Sequence, residues 1–187
     1  MKNIILLFLF SINLISAQET QIDSIVSKQI KYLTENKTSE FFIVEKYCNG
    51  CIKLIKANEP DCDYGTSRLY VFWKDKSQSY FRKLGKCNSP KIKIPDEIIK
   101  NYILNINEIE KENIKGYQTG KDSFVSVSHS TFSTFYFMYN GNLIVKQFND
   151  FDLTTEDYST NINYDYNNSL KLIKLSEICD KIILKKQ

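Results

Sequence analysis

Hydrophobic positions along the chain fall into alternating helical and strand-like blocks. From Gln21 to Leu33 the residues Ile22, Ile25, Val26, Ile30 and Leu33 lie near one helix face, and Thr20 with Asp23 resembles a capping box. The polar stretch Glu35 to Ser39 breaks the pattern. Strand character then holds to Leu84. Phe41 to Tyr47 is aromatic and β-branched, and Cys51 to Ala57 reads as its antiparallel return. Arg68 to Lys74 and Ser79 to Leu84 read as a second hairpin around Lys74-Asp75-Lys76-Ser77.

A central helix follows. Pro95 suits a first helical position, Asp96 and Glu97 complement the positive end of the helix dipole, and apolar residues recur at Ile98, Ile99, Tyr102, Ile103, Ile106 and Ile109. Gly116 is placed to end this helix or the loop after it. Strands are expected at Ser123 to Ser128, Thr131 to Tyr139 and Asn142 to Phe148, the last two joined by Asn140-Gly141, a two-residue hairpin turn. Alternation of Ile162, Tyr164 and Tyr166 predicts a short edge strand over Asn161 to Tyr166. Asn168 or Ser169 can cap a last helix carrying Leu172, Leu175, Cys179 and Ile182. Strands grouped between helices predict an α+β fold: antiparallel sheet of about seven to eight strands with an N-terminal, a central and a C-terminal helix.

The N-terminus changes how the cysteines are read. Lys2, the apolar run Ile4 to Phe10 with Ile12, Leu14 and Ile15, and the small Ser16 and Ala17 resemble a secretory signal peptide. The expectation is a signal peptide over 1–17, a single domain over 18–187, and export to a periplasm or the exterior with no membrane attachment after cleavage. Losing Lys2 takes the formal charge from +3 to +2, which requires no acidic partner. Basic residues crowd Arg68 to Lys93, where Asp75 is the only acid; acids crowd Asp150 to Asp165 without Lys or Arg.

Export makes disulfides the default state of Cys48, Cys51, Cys62 and Cys87, which allow three pairings. Cys179, on the apolar stripe of the last helix, is the expected free thiol. CNGC over Cys48 to Cys51 reads foremost as a hairpin turn. Its register would set the two cysteines opposite one another, Val44 opposite Ile55 and Phe42 opposite Ala57. The alternative is a thiol–disulfide oxidoreductase, with Cys48 as nucleophile and Cys51 as resolving thiol. That reading needs a helix at the first cysteine to lower its pKa, and a helix here would have to begin around Cys51 and stop before Pro60, so it would be short. A zinc site would need a second ligand pair, so no metal and no cofactor is expected.

Other motifs fall short of a chemistry. Serines flank His129, the only histidine, but no Gly-x-Ser-x-Gly elbow occurs. GYQTGKDS over Gly116 to Ser123 has the wrong spacing for a phosphate loop. Asp150-x-Asp152 begins like a calcium loop, yet Thr155 and Asn161 stand where glycine and glutamate belong, which leaves only a looser calcium site open. Asn36-Lys37-Thr38 and Asn167-Asn168-Ser169 are glycosylation sequons.

The functional expectation is an exported, soluble, non-enzymatic binding domain whose partner is a protein or extracellular ligand, not a nucleic acid. Arg68, Tyr70, Trp73, Arg82 and Lys83, in the basic aromatic hairpin, are the expected contact surface. An inhibitor or immunity-type role is a second form of the same reading.

Overall fold

The computed structural model describes residues 22–54, 58, 60–87, 89–155 and 160–186. The expected signal peptide, Thr20 of the capping box and Ile55 to Ala57 lie outside them. The chain separates after Ser39 into two compact units. In the first, residues 22–35 form helix α1. Its end is closed by Thr38 N donating to Leu33 O and Lys37 N to Thr34 O, with Lys37 at φ 56°. This is the left-handed closure of a Schellman motif, here without glycine.

The second unit, Glu40–Gln187, is built on eight strands and three helices. The strands are β1 Phe41–Asn49, β2 Arg68–Asp75, β3 Gln78–Leu84, β4 Ile92–Ile94, β5 Gln118–Gly120, β6 Ser123–Phe124, β7 Ser130–Tyr139 and β8 Asn142–Asn149. The helices are α2 Glu97–Lys111, α3 Tyr164–Ser169 and α4 Lys171–Lys186, and a 3-10 turn spans Asp150–Leu153. Six strands make one sheet in the order β4-β3-β2-β1-β7-β8, and β5 with β6 makes a two-stranded ribbon. Every pairing is antiparallel, so the fold is α+β as the pattern predicts.

One sheet face carries Phe42, Val44, Tyr70, Phe72, Phe81, Phe135, Phe137 and Phe148 against α2 and α4. Phe42 is central, with ring centroids 5.0 Å from Phe72, 5.3 Å from Tyr102 and 5.9 Å from Phe137. Each such ring contributes about 1.5–3 kcal/mol by leaving water. Tyr102 spans helix and sheet by donating to Met138 O at 2.9 Å, and burial, with Glu40 nearby, pushes its phenol up to about 12. Phe41, Ile43, Leu69 and Val71 alternate with these core positions and are buried too. That is why β1 and β2 read as runs, not alternations.

Five sequence expectations about these elements need correction. Residues 51–54 form no strand, because both edges of β1 are occupied: Val44 lies opposite Tyr70 and Phe135, and Phe42 opposite Phe72 and Phe137. Strand beyond Gly120 is confined to Ser123–Phe124 before β7 begins at Ser130. The expected edge strand at Asn161 to Tyr166 is a turn leading into α3, with Ile162 exposed. Asn168 and Ser169 belong to α3, so they do not cap α4. That cap comes from Glu112, whose carboxylate accepts from Lys171 N at 2.7 Å and Leu172 N at 3.0 Å. Pro95 stands two residues ahead of the first helical position, which is Glu97, with Asp96 at the N-cap.

Buried asparagines organise the chain around α3. Asn167, fully buried, accepts from Lys115 N and donates to Lys115 O and Asp152 O. Asn161 accepts from Gln118 N and Asn163 N while donating to Asp152 O and Thr154 O. These amides replace strand partners for backbone that would otherwise be buried unpaired. The Asn167 sequon is therefore closed to a glycan, whereas Asn36 is exposed.

Candidate functional site

The segment from β1 to β2 holds the chemistry. Cys48 is the second-last residue of β1, opposite Thr131, and Gly50, at φ 74°, turns the chain so that Cys51 returns with its Cα 5.5 Å from that of Cys48. The two are joined as a disulfide. A Cβ on Gly50 would lie 2.6 Å from His129 Cδ2, so only glycine leaves the imidazole its place. Cys62 is joined to Cys87, just beyond β3. Gly85 permits that crossing, because a Cβ there would meet Cys62 O at 2.1 Å. Lys86 N also donates to this carbonyl, at 2.9 Å.

Between the two bridges, two carboxylates are shared by four cations. Lys53 Nζ donates to Asp61 Oδ1 at 2.5 Å and to Asp63 Oδ2 at 3.0 Å. Lys86 Nζ reaches Asp61 Oδ2 at 3.1 Å. Lys83 Nζ lies 2.5 Å from Asp63 Oδ1, an ion pair off the angle of a hydrogen bond, and Arg68 Nε lies 3.5 Å from Asp63 Oδ2. Lys53 and then Lys86 lower the Asp61 carboxyl to about 2. Burial works to raise Asp63, but the ammonium groups of Lys83 and Lys53 beside it outweigh that and hold the group below its ordinary value. Asp61, ahead of Asp63, raises Lys53 in return.

A cleft of about 310 Å³ opens beside this network, lined by Lys46, Cys48, Cys51, Lys53, Asp63 and Arg68, among others. Lys46 is held from below by Asp180 of α4 at 2.5 Å. At the rim the side chains invert their usual disposition. Lys53 turns inward to the carboxylates, while Ile52 and Leu54 stand 87% and 92% exposed.

The expected contact residues do not form one surface. Arg68 lies at the cleft, but Tyr70 is only 2% exposed and packs its ring against Phe81. It belongs to the core, which corrects its placement on a binding surface. Trp73 is half-buried and stacks on Tyr80 at 5.6 Å, with Lys91 Nζ 3.5 Å from the Tyr80 ring centre. Arg82 pairs with Val71 and Lys83 with Tyr70, so these neighbours point to opposite faces of the sheet. Cys179 is unpaired and fully buried in α4, where burial pushes its thiol well up, away from a reactive thiolate.

Lys53, Asp61, Asp63, Ile52 and Leu54 are the site residues that sequence reasoning missed. The available signal was Asp61-Cys62-Asp63, two acids bracketing a bridged cysteine just ahead of a basic run. His129 Nδ1 shares a hydrogen bond with Ser128 Oγ at 2.9 Å, a contact between sequence neighbours. Among the described residues, no three His, Cys, Asp or Glu side chains gather as metal ligands, and no helix is long and apolar enough to cross a membrane. Compared with known proteins, the chain matches no family model and shows no significant similarity to a curated protein or a solved structure.

Proposed function

We propose that this chain is an exported domain that binds another protein through the braced loop Cys48 to Leu54 and the cleft beside it. Export is supported by the N-terminal pattern of Lys2, apolar run and small residues, and two disulfides suit an oxidising compartment. The observation that carries the binding reading is the inversion at Lys53. A free loop would turn its lysine to water and its aliphatics inward. Here the lysine is tied down and two large aliphatics are presented together, each forgoing about 1.5–3 kcal/mol of burial. Lys46, Lys53 and Arg68 outnumber Asp63 along the cleft, so the fitting partner offers an apolar recess with an acidic rim. Inhibition or immunity would be one use of such a contact.

The test is capture from the native exported fraction with immobilised wild type, Ile52→Ser/Leu54→Ser and Arg82→Glu/Lys83→Glu. The loop variant should lose about 30-fold in affinity with an unchanged melting temperature. Equal capture by the loop variant, with loss in the hairpin variant, would return the contact to the β2–β3 hairpin.

One observation favours thiol–disulfide exchange as a second reading: Cys51 is exposed in a cleft whose lining includes three cations. Against it, Cys48 lies in a strand and does not begin a helix. Acceleration of insulin reduction by dithiothreitol, abolished by Cys48→Ser, is expected only of this reading.

A further inference from the structure

The two edges of the six-stranded sheet are finished differently. The β4 edge is three residues long, is flanked by Pro90 and Pro95, and carries Lys91 and Lys93. Those are the usual means by which an edge is kept from pairing with another chain. The β8 edge has none of them. It runs eight residues, Asn142–Asn149, in unbroken register with β7, without proline or bulge, and no strand lies on its other side among the described residues. Its only charge, Lys146, gives no protection either. That ammonium is drawn back to the C-terminal end of α2, donating to Glu110 O at 2.6 Å and Glu112 O at 2.8 Å.

The hairpin fixes which backbone groups face outward. Asn140-Gly141 is a two-residue turn, at φ 50° and 78°, flanked by the pair Tyr139 and Asn142. In such a hairpin the flanking residues exchange hydrogen bonds, and every second residue onward does the same. Asn142, Ile144, Lys146 and Phe148 therefore bond to β7, while Leu143, Val145 and Gln147 turn N–H and C=O outward. The same three are exposed, Leu143 by 48% and Val145 by 51%. Unpaired backbone and apolar side chains thus coincide.

We propose that β8 is a self-pairing edge, at which two copies of this chain join antiparallel about a two-fold axis through Val145. The strand is its own complement in that register. Outward-facing groups meet whenever the axis passes through a residue of the strand; the axes through Val145 and Lys146 give the longest overlap, and the second would set Lys146 directly against Lys146. Val145 then faces Val145 of the second copy, and Leu143 faces Gln147. Lys146 faces Ile144, so the lone charges are never directly opposed. Leu143 and Val145 of both copies make one apolar strip, and the sheet becomes continuous across the axis.

Sedimentation equilibrium of the full chain, run up to about 100 μM, tests this. Wild type should dimerise. Val145→Pro removes an outward N–H, a position an edge tolerates, so it should weaken the dimer at least about tenfold with unchanged secondary structure. Val145→Cys should cross-link under mild oxidation, because the paired Cα atoms would be about 5.5 Å apart, within disulfide reach. Leu143→Cys, facing glutamine, should not. A monomeric wild type, a Val145→Pro dimer of full strength, or equal cross-linking by both cysteine variants would each overturn the proposal. Ile52→Ser/Leu54→Ser should leave dimerisation intact, which separates this surface from the loop contact.

Discussion

Two irregular stretches of the larger unit are held by opposite means. In the described residues of 50–67 the chain is fixed by two disulfides and by Asp61 and Asp63 among their cations. Around α3, the described residues of 115–118, 150–155 and 160–170 are fixed by buried amides, with Asn161, Asn163 and Asn167 bonded to backbone and Tyr117 stacked on Phe151 at 4.5 Å. The first means needs no interior, so its apolar residues remain available to a partner. The second buries its own fasteners, Asn161, Asn163 and Asn167, beneath the chain they hold. Covalent and ionic fastening suits a presenting loop; amide fastening suits a sealed one.

Removing a fastener from each stretch separates the two. Cys62→Ser/Cys87→Ser opens a bridge of sequence separation 25 and should cost about 3.5 kcal/mol in urea unfolding. A cost near zero would mean that the ion pairs hold the loop without it. Asn167→Ala leaves a buried N–H and two carbonyls without their amide partner and should cost about 3 kcal/mol, with no rescue by Asn167→Asp, which cannot donate. Neither substitution should alter the exposure of Ile52 and Leu54 in the same way. Loss of the bridge releases the loop, whereas loss of the amide leaves it braced.

The smallest effect is the response to acid, and its sign differs between the stretches. The folded pKa of Asp61 is depressed from 3.8 to about 2, so its contribution is fully present above the unfolded value and disappears as pH falls through the folded one. Burial raises Asp150 and Asp152. For those two, acidification through the folded pKa relieves a buried charge, and stability rises until the unfolded value is reached. Melting temperature between about pH 5 and pH 2 should therefore fall less steeply in Asp61→Asn than in wild type, and more steeply above about pH 4 in Asp152→Asn. Parallel curves would deny the contrast.

The sequence was legible where one short segment decides its own structure. Asn140-Gly141 demanded positive φ at both positions and has it, and of the expected stripe Ile98, Ile99, Tyr102, Ile106 and Ile109 are the buried face of α2, while Ile103 is exposed. It misled where distant strands decide. CNGC carries a local turn signal, but β1 was already committed to β2 and β7, so the return strand had no edge to join. Tyr70 looked like a neighbour of Arg68 and Trp73 because a run buried on both faces hides which way each side chain points. The ion-pair network was unreadable for the same reason, since Lys83 and Lys86 reach Asp61 and Asp63 only after β3 has paired.

The Glu112 cap has a consequence for the chain's entropy. Its bonds to Lys171 and Leu172 close a loop of 59 residues or more, within which lie all of β5 to β8. Closing a loop of that size carries an entropic cost, which the packing of the strands between must offset. The last helix of the chain thereby takes its beginning from a residue far from it in sequence.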